Sequence, residues 1–226
     1  MANRCLLYYI TDRSQFRGDE NARRRALLAK VGEAARAGVD YIQLREKDLG
    51  ARELEMLARD ALSAVRNSTP LRTENRELRT RLLINSRTDV ALAAGADGVH
   101  LRANDLSPHE VRQMLEASAH RPPATDHFLV AASCHSNEEV IRAESEAADF
   151  AVLAPVFGKR GTAGTPPAGL AALREACRAN IPVLALGGVT MENAASCLNA
   201  GAAGIAAIRL FQENEIEAVV RALRAL

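Results

Sequence analysis

Tryptophan is absent, and all aromatic residues together make up 4% of the 226 positions. A platform on which unpaired bases stack needs more rings than that. Charge of one sign is also lacking: 29 Lys and Arg face 28 Asp and Glu, for a formal net charge of +1. No bulk field therefore draws the chain to nucleic acid or to an anionic membrane, and any basic patch is local. No apolar run is long enough to span a bilayer. The opening MANRCLLYYITD meets Asp12 before a signal-peptide core forms. Cysteines are few, at Cys5, Cys134, Cys177 and Cys197, and none sits in a C-x-x-C pair. That excludes a metal knuckle or a thioredoxin-type motif. Thiols scattered through apolar segments read as reduced and buried, and the expected location is cytoplasmic.

What is present is a regular alternation. Hydrophobic residues are 48% and charged residues 25%, enough for a large core under a solvated surface. β-Rich runs fall at Leu6–Thr11, Tyr41–Arg45, Leu82–Asn85, Gly98–Leu101, Phe128–Ser133, Phe150–Ala154, Val183–Leu186 and Gly204–Ile208. Helical patterns follow them, as at Ala51–Val65, Asn137–Ala147 and Met191–Ala200. Strands alternating with helices imply a parallel sheet. Eight such units in this length predict a closed TIM-type (β/α)8 barrel, one α/β domain over residues 1–226. A weak internal repeat agrees: AARAGVDYIQL, ALAAGADGVHL, ESEAADFAVLA and CLNAGAAGIAA each end a helix on small residues and turn into a strand. Gly38, Gly95 and Gly201 suit positions of positive φ there. Three segments break the rhythm: a charged excursion over Arg66–Arg81, a proline-bearing loop over His120–His127, and the Gly- and Pro-rich Gly158–Gly169 after the sixth strand, where a catalytic loop belongs.

The residues with chemistry sit at predicted strand ends. Strand alternation turns Ile42 and Leu44 toward the helices, and Tyr41, Gln43, Arg45 and Lys47 toward the barrel interior or its mouth. An interior cation is costly unless paired or holding an anion. Arg45 and Lys47 thus read as an anion clamp, with a salt bridge to Glu46 or another acid as the alternative. Ser133 and His135 share one parity after the fifth strand. His135 is a candidate acid–base residue, or else it helps cap a helix for which Ser136 or Asn137 suits better. Asn85 offers hydrogen bonds at the mouth. Asp105 could take Mg2+ as an oxygen ligand, or cap a helix starting near Ser107. His100, mid-strand, reads as structural. Gly187 and Gly188 end the seventh strand and Arg209 the eighth, which suits a phosphate cradle, or else a tight turn and a surface arginine.

Taken together, YITD, QLREK, INSRTD, ADGVHL with Asp105, SCHS, APVF, LALGGVT and AGAAGIA resemble the thiamine phosphate synthase and TenI family over nearly the whole chain. The resemblance implies a barrel enzyme of thiamine biosynthesis that joins hydroxymethylpyrimidine diphosphate to thiazole phosphate. Diphosphate leaves with Mg2+, and the thiazole nitrogen captures the pyrimidine carbocation. Carried over, Gln43, Arg45, Lys47 and Asn85 hold the diphosphate, Asp105 binds Mg2+, Ser133 contacts the departing diphosphate, and Gly188 binds the thiazole phosphate.

The chain also departs from that pattern. Ser86 stands where the synthase has a metal-binding Asp, and Arg102-Ala103 where it has Gly-Gln. GKRGT replaces a Thr-x-Thr-Lys loop, so the diphosphate lysine is missing or displaced to Lys159, and Arg209 replaces a Ser. TenI-type thiazole tautomerases share the first two departures, and their acid–base histidine maps to His135. The leading expectation is the synthase. The alternatives are a thiazole tautomerase and a non-catalytic binder of thiamine phosphates. The expected partners are small phosphorylated pyrimidine and thiazole compounds, with no nucleic acid and no membrane, and the sequence leaves a homo-oligomer open.

Overall fold

Each strand of this chain must bury two faces, one against helices and one against other strands, so apolar residues run through it almost without interruption. A computed structural model describes residues 4–68, 79–117, 127–158 and 166–226 and shows how both faces are covered. The strands are β1 (Leu6–Ile10), β2 (Tyr41–Leu44), β3 (Arg81–Asn85), β4 (Gly98–Leu101), β5 (Leu129–Cys134), β6 (Phe150–Leu153), β7 (Val183–Ala185) and β8 (Gly204–Ala207). They are all parallel, each pairs with its neighbour in sequence, and β8 closes on β1 through Leu6 opposite Gly204. The predicted (β/α)8 barrel is therefore the fold. The helices are α1 (Glu20–Ala37), α2 (Ala51–Ser68), α3 (Thr88–Ala94), α4 (Pro108–Ala117), α5 (Asn137–Ser145), α6 (Gly169–Ala176), α7 (Ala194–Asn199), a short α8 (Arg209–Gln212) and α9 (Ile216–Arg224).

The period of two sorts the core into two layers. Leu7, Tyr9, Ile42, Leu44, Leu82 and Ile84 face outward and pack under the helices. Tyr8, Ile10, Leu83, Ala131, Phe150 and Val152 fill the barrel. Tyr41 stacks on Phe150 at 4.9 Å between ring centroids, and Tyr8 meets both rings edge-on. The scarce aromatics are thus spent largely on the interior.

The internal repeat has a structural meaning at the N-terminal end of the barrel. Gly38 and Gly95 close α1 and α3 with left-handed φ of 82° and 72°. In the third repeat Ala147 takes φ 62° without being glycine, a conformation that costs an L-residue about 1–2 kcal/mol. One residue before each following strand stands an Asp that reaches across to the first amides of the preceding strand. Asp40 accepts from Leu7 N at 2.7 Å, Asp97 from Leu82 N at 2.9 Å and Asp149 from Val130 N at 2.5 Å. Each carboxylate is also paired with an arginine: Arg224, Arg79 and Arg112 respectively. The fourth repeat has Ala203 at this position and uses backbone alone.

Several expectations are corrected. Arg66–Ser68 belong to α2 and Arg81 opens β3, so the charged excursion is shorter than predicted; its centre, 69–78, lies outside the described residues. The helix expected over Met191–Ala200 contracts to α7. Of the loop His120–His127 only His127 is described, where it meets Asp149. Of Gly158–Gly169 the part 159–165 lies outside the described residues, and with it Lys159. All four cysteines are free as expected, but only Cys134 and Cys197 are buried; Cys5 and Cys177 are half-buried. Burial pushes the Cys134 thiol up to about 12 and those of Cys177 and Cys197 to about 11. Among the described residues no helix is long and apolar enough to cross a membrane.

Candidate active site

The C-terminal ends of the strands gather polar side chains that the apolar layers exclude. Arg45 follows β2 directly, and its amide donates to Thr11 Oγ1 at 3.0 Å. The Thr11 hydroxyl donates in turn to Glu46 Oε1 at 2.6 Å. Glu46 is 5% exposed and accepts from Arg13 twice, from its amide at 3.0 Å and from Nη1 at 3.1 Å. Arg13 also forks onto Asp48 at 2.6 and 2.8 Å. The salt bridge between Arg45 and Glu46 weighed from sequence is therefore not formed, because Arg13 occupies that carboxylate. Among the described residues no carboxylate pairs with the half-buried Arg45. Lys47 stands exposed two residues further on.

Asn85, Ser86, Arg102 and Asp105 form the adjoining rim. Asn85 Nδ2 donates to Ser86 Oγ at 3.1 Å, and Ser86 holds a left-handed φ of 64°. Asp105 accepts from the Arg102 amide at 2.7 Å and from the Arg102 guanidinium at 3.1 Å. Burial works to raise the Asp105 carboxyl, but the Arg102 amide and guanidinium and the Ser86 hydroxyl outweigh it and hold it below the usual carboxylate range. Asp105 does not cap α4. Ser107 does, accepting from Glu110 N at 3.2 Å while Glu110 reaches back to Ser107 N at 2.7 Å, a capping box.

Near the end of β5, Ser133 Oγ lies 2.7 Å from His100 Nε2. His100 is fully buried, and burial, aided by the charge of Arg45, pushes it down to about 3, so the ring is neutral. His100 Nδ1 lies 3.1 Å from Tyr8 Oη, which accepts from Gln43 Nε2 at 3.1 Å. His135 is exposed, with Nδ1 at 2.6 Å from the Ala154 carbonyl oxygen. A carbonyl only accepts, so Nδ1 carries a hydrogen, and in the neutral ring Nε2 then presents its lone pair. The cap of α5 is Ser136, as preferred from sequence.

Across the mouth, Gly187, Gly188, Thr190, Ile208 and Arg209 border a cavity of about 380 Å3. Gly187 and Gly188 have φ of 96° and 63°. A Cβ on Gly188 would come within 2.8 Å of Phe157 Cβ, so the loop after β6 and the loop after β7 touch only because these residues are glycine. Asn193 ties the second loop down, donating to the Gly188 carbonyl at 3.0 Å and accepting from Thr190 N at 2.8 Å. Arg209 is not the last residue of β8, which ends at Ala207. It is the exposed first residue of α8.

The barrel thus brings Gln43, Arg45, Asn85, Asp105, Ser133, His135, Gly187, Gly188 and Arg209 to one end of the strands. Sequence reasoning passed over Tyr8, Thr11, Arg13 and Asn193. Tyr8 was legible in principle, since it shares the interior parity of Ile10. Among the described residues no group of three or more His, Cys, Asp or Glu side chains converges as metal ligands do.

Comparison with known proteins gives a consistent result. The family model described as thiamine monophosphate synthase matches residues 7–211. A thiamine-phosphate synthase of Methanoculleus marisnigri is 40% identical over 222 residues, covering 96% of this chain and 93% of the relative. A putative thiamine-phosphate synthase of Aquifex aeolicus is 38% identical over 208 residues, 92% of this chain and 97% of the relative. Among solved structures, the thiamine phosphate pyrophosphorylase of Pyrococcus furiosus superposes with a TM-score of 0.76 at 28% identity, covering 99% of this chain and 95% of that one.

Proposed function

The chain belongs to the thiamine monophosphate synthase family, and from that premise we propose the work of each part of its mouth. The reaction is the coupling of hydroxymethylpyrimidine diphosphate with thiazole phosphate. The bond between the pyrimidine methylene carbon and the diphosphate oxygen breaks, the electron pair leaves with the diphosphate, and the thiazole nitrogen attacks the resulting cation. Arg45 is the observation that carries the site reading: a half-buried guanidinium at the mouth with no carboxylate partner among the described residues. An anion repays the desolvation of such a group. Lys47 and Asn85 flank it and hold the same diphosphate, Gln43 joins them from the buried floor of the mouth with the amide hydrogen that it does not give to Tyr8, and Ser133 donates to the leaving oxygens. Gly187 and Gly188, with Arg209, take the thiazole phosphate in the cavity between the loops after β7 and β8. Lys159 belongs to the diphosphate set on sequence grounds alone. The whole barrel acts as one domain, with small phosphorylated pyrimidine and thiazole partners.

The residues present do not fit a resident Mg2+ ion. Such an ion is bound through one or two carboxylates with waters and phosphate oxygens. Here Asp105, the carboxylate beside Asn85 and Ser86, is engaged by the Arg102 amide and guanidinium and by Ser86. Arg102 already brings a positive charge to the Asp105 carboxylate. Mg2+ demand is accordingly expected to be high: wild type couples slowly at low Mg2+, and Ser86→Asp lowers the concentration needed. The left-handed φ of 64° favours that substitution, because Asp tolerates it better than most residues. Coupling rate against Mg2+ for both proteins is the measurement. Fast wild-type turnover at low Mg2+ would show that another ligand takes the place of the missing carboxylate. No coupling by either protein at any concentration would overturn the synthase.

A second reading, thiazole tautomerisation, is favoured by one observation, the outward lone pair of His135. If the protein moves that proton, His135→Asn lowers the tautomerisation rate by about 10²–10⁴ and leaves coupling within a few-fold. Assays with each thiazole tautomer, with and without the pyrimidine diphosphate, separate the two activities.

A further inference from the structure

The mouth is supported from below by a line of polar side chains that the apolar interior does not need. Gln43 Nε2, Tyr8 Oη, His100 and Ser133 Oγ are joined by contacts of 3.1, 3.1 and 2.7 Å. Tyr8 is 0% exposed and Gln43 and His100 are 2% exposed, inside a layer of Leu83, Ala131, Phe150 and Val152. Polar groups buried at that depth cost stability unless every hydrogen finds an acceptor. The chain satisfies this in a single direction. An amide nitrogen only donates, so Gln43 gives its hydrogen to Tyr8 Oη. Burial keeps the Tyr8 phenol protonated, and its own hydrogen then goes to His100 Nδ1. A neutral imidazole has one N–H. With Nδ1 accepting, that hydrogen sits on Nε2 and is donated to Ser133 Oγ.

We propose that Gln43, Tyr8 and His100 form a one-way hydrogen-bond chain that holds His100 as the Nε2–H tautomer and turns the Ser133 hydroxyl hydrogen out into the mouth. His100 is then a positioning residue: it touches no substrate but leaves Ser133 a donor with its hydrogen already aimed at an anion. The opposite polarity would have Ser133 donate to a bare Nε2, and its oxygen lone pairs would face the anion. The nearby Arg45 disfavours a second ring proton, so the ring keeps a single N–H, and that hydrogen falls to Nε2 because the Tyr8 hydroxyl, already accepting from Gln43, gives its own to Nδ1. The use of this device rests on the reading of Ser133 as a diphosphate contact. The tautomer itself does not.

The two parts are tested separately. In the intact protein labelled with 15N-histidine, long-range 1H–15N spectra near neutral pH distinguish the ring nitrogen that carries hydrogen. The expected result for His100 is hydrogen on Nε2 and a bare, hydrogen-bonded Nδ1. Tyr8→Phe keeps the ring packing but removes the donor to Nδ1, and is expected to shift the His100 signals toward a mixture of tautomers. It should also lower the coupling kcat by about five- to tenfold, as loss of one directed hydrogen bond does, with a smaller change in KM. A resonance pattern with hydrogen on Nδ1 in wild type overturns the proposal, as does a Tyr8→Phe protein with unchanged His100 signals. Ser133→Ala and titration with inorganic pyrophosphate complete the set. If that variant binds pyrophosphate and turns over like wild type while the wild-type tautomer is Nε2–H, the diphosphate role of Ser133 fails and the chain is shown to have no catalytic use.

Discussion

Arg45→Ala is expected to weaken pyrophosphate binding by about 10- to 150-fold. Hydrogen bonds to charged groups contribute about 1.5–3 kcal/mol, and about 1.4 kcal/mol is a factor of ten. The loss falls on binding and not on the fold, because among the described residues no carboxylate pairs with the guanidinium: Glu46 keeps Arg13, and Thr11 bonds the Arg45 backbone, which alanine retains. Thermal midpoints of the two proteins should therefore agree. Arg45→Lys should recover only part of the affinity, since an ammonium replaces a planar fork with a single point of charge. Calorimetric titration with pyrophosphate and with the pyrimidine diphosphate, at two salt concentrations, measures this. Unchanged affinity for both ligands would remove Arg45 from the anion site.

Gly204→Ala is expected to have the largest effect on stability of any single methyl added to the barrel. Gly204 stands opposite Leu6 across the closing strand pair and opposite Leu184 on its other side. A Cβ built on it would overlap the Leu6 carbonyl oxygen and come within 2.7 Å of Leu6 Cβ. Both are fixed by the sheet, so neither can rotate away, and the strands must part. A cost above about 3 kcal/mol is expected, a large share of the 5–15 kcal/mol that keeps a domain folded. Gly98 is in the same position against Leu129, and Gly98→Ala should behave alike. By contrast, a Cβ on Gly38 or Gly95 meets nothing within 4 Å, so alanine there pays only for the left-handed backbone. The measurement is the shift in urea midpoint for the four variants. A shift for Gly204→Ala no larger than for Gly38→Ala would mean that the closing pair yields easily.

The fold was legible because each strand announces itself by its apolar run, and four of the eight do so again by the small-residue turn before them. Predicted and observed strand limits agree within one residue at either end, as at Phe128–Ser133 against Leu129–Cys134. The rim residues were legible because they are polar groups abutting apolar strands: Arg45 after IQL, Ser133 within VAAS. Their partners were not. Tyr8 and His100 lie 92 positions apart and meet only across the interior of the closed barrel, and Arg13 and Glu46 lie 33 apart and meet only when β1 pairs with β2. The same limit explains why Glu46 looked like a partner for Arg45. Adjacent residues on a strand end point in opposite directions, and the carboxylate was claimed from β1's side. Arg102 hides for another reason, since its contact with Asp105 is made in a loop where neither period applies.

The order of the strands around the ring has a kinetic consequence. Seven of the eight pairings join neighbours in sequence, and the eighth joins Leu6 to Gly204. Contacts of low sequence separation form fast, and long-range ones wait on chain closure. The entropy of closing that last loop exceeds that of a neighbouring pair by only about 1.5 kcal/mol, because the cost grows with the logarithm of length. The seam between β8 and β1 is then the last register to be set in folding and the first to be lost. A methyl at Gly204 should act mainly on the unfolding rate, leaving the rate at which the arc of seven pairs assembles nearly untouched.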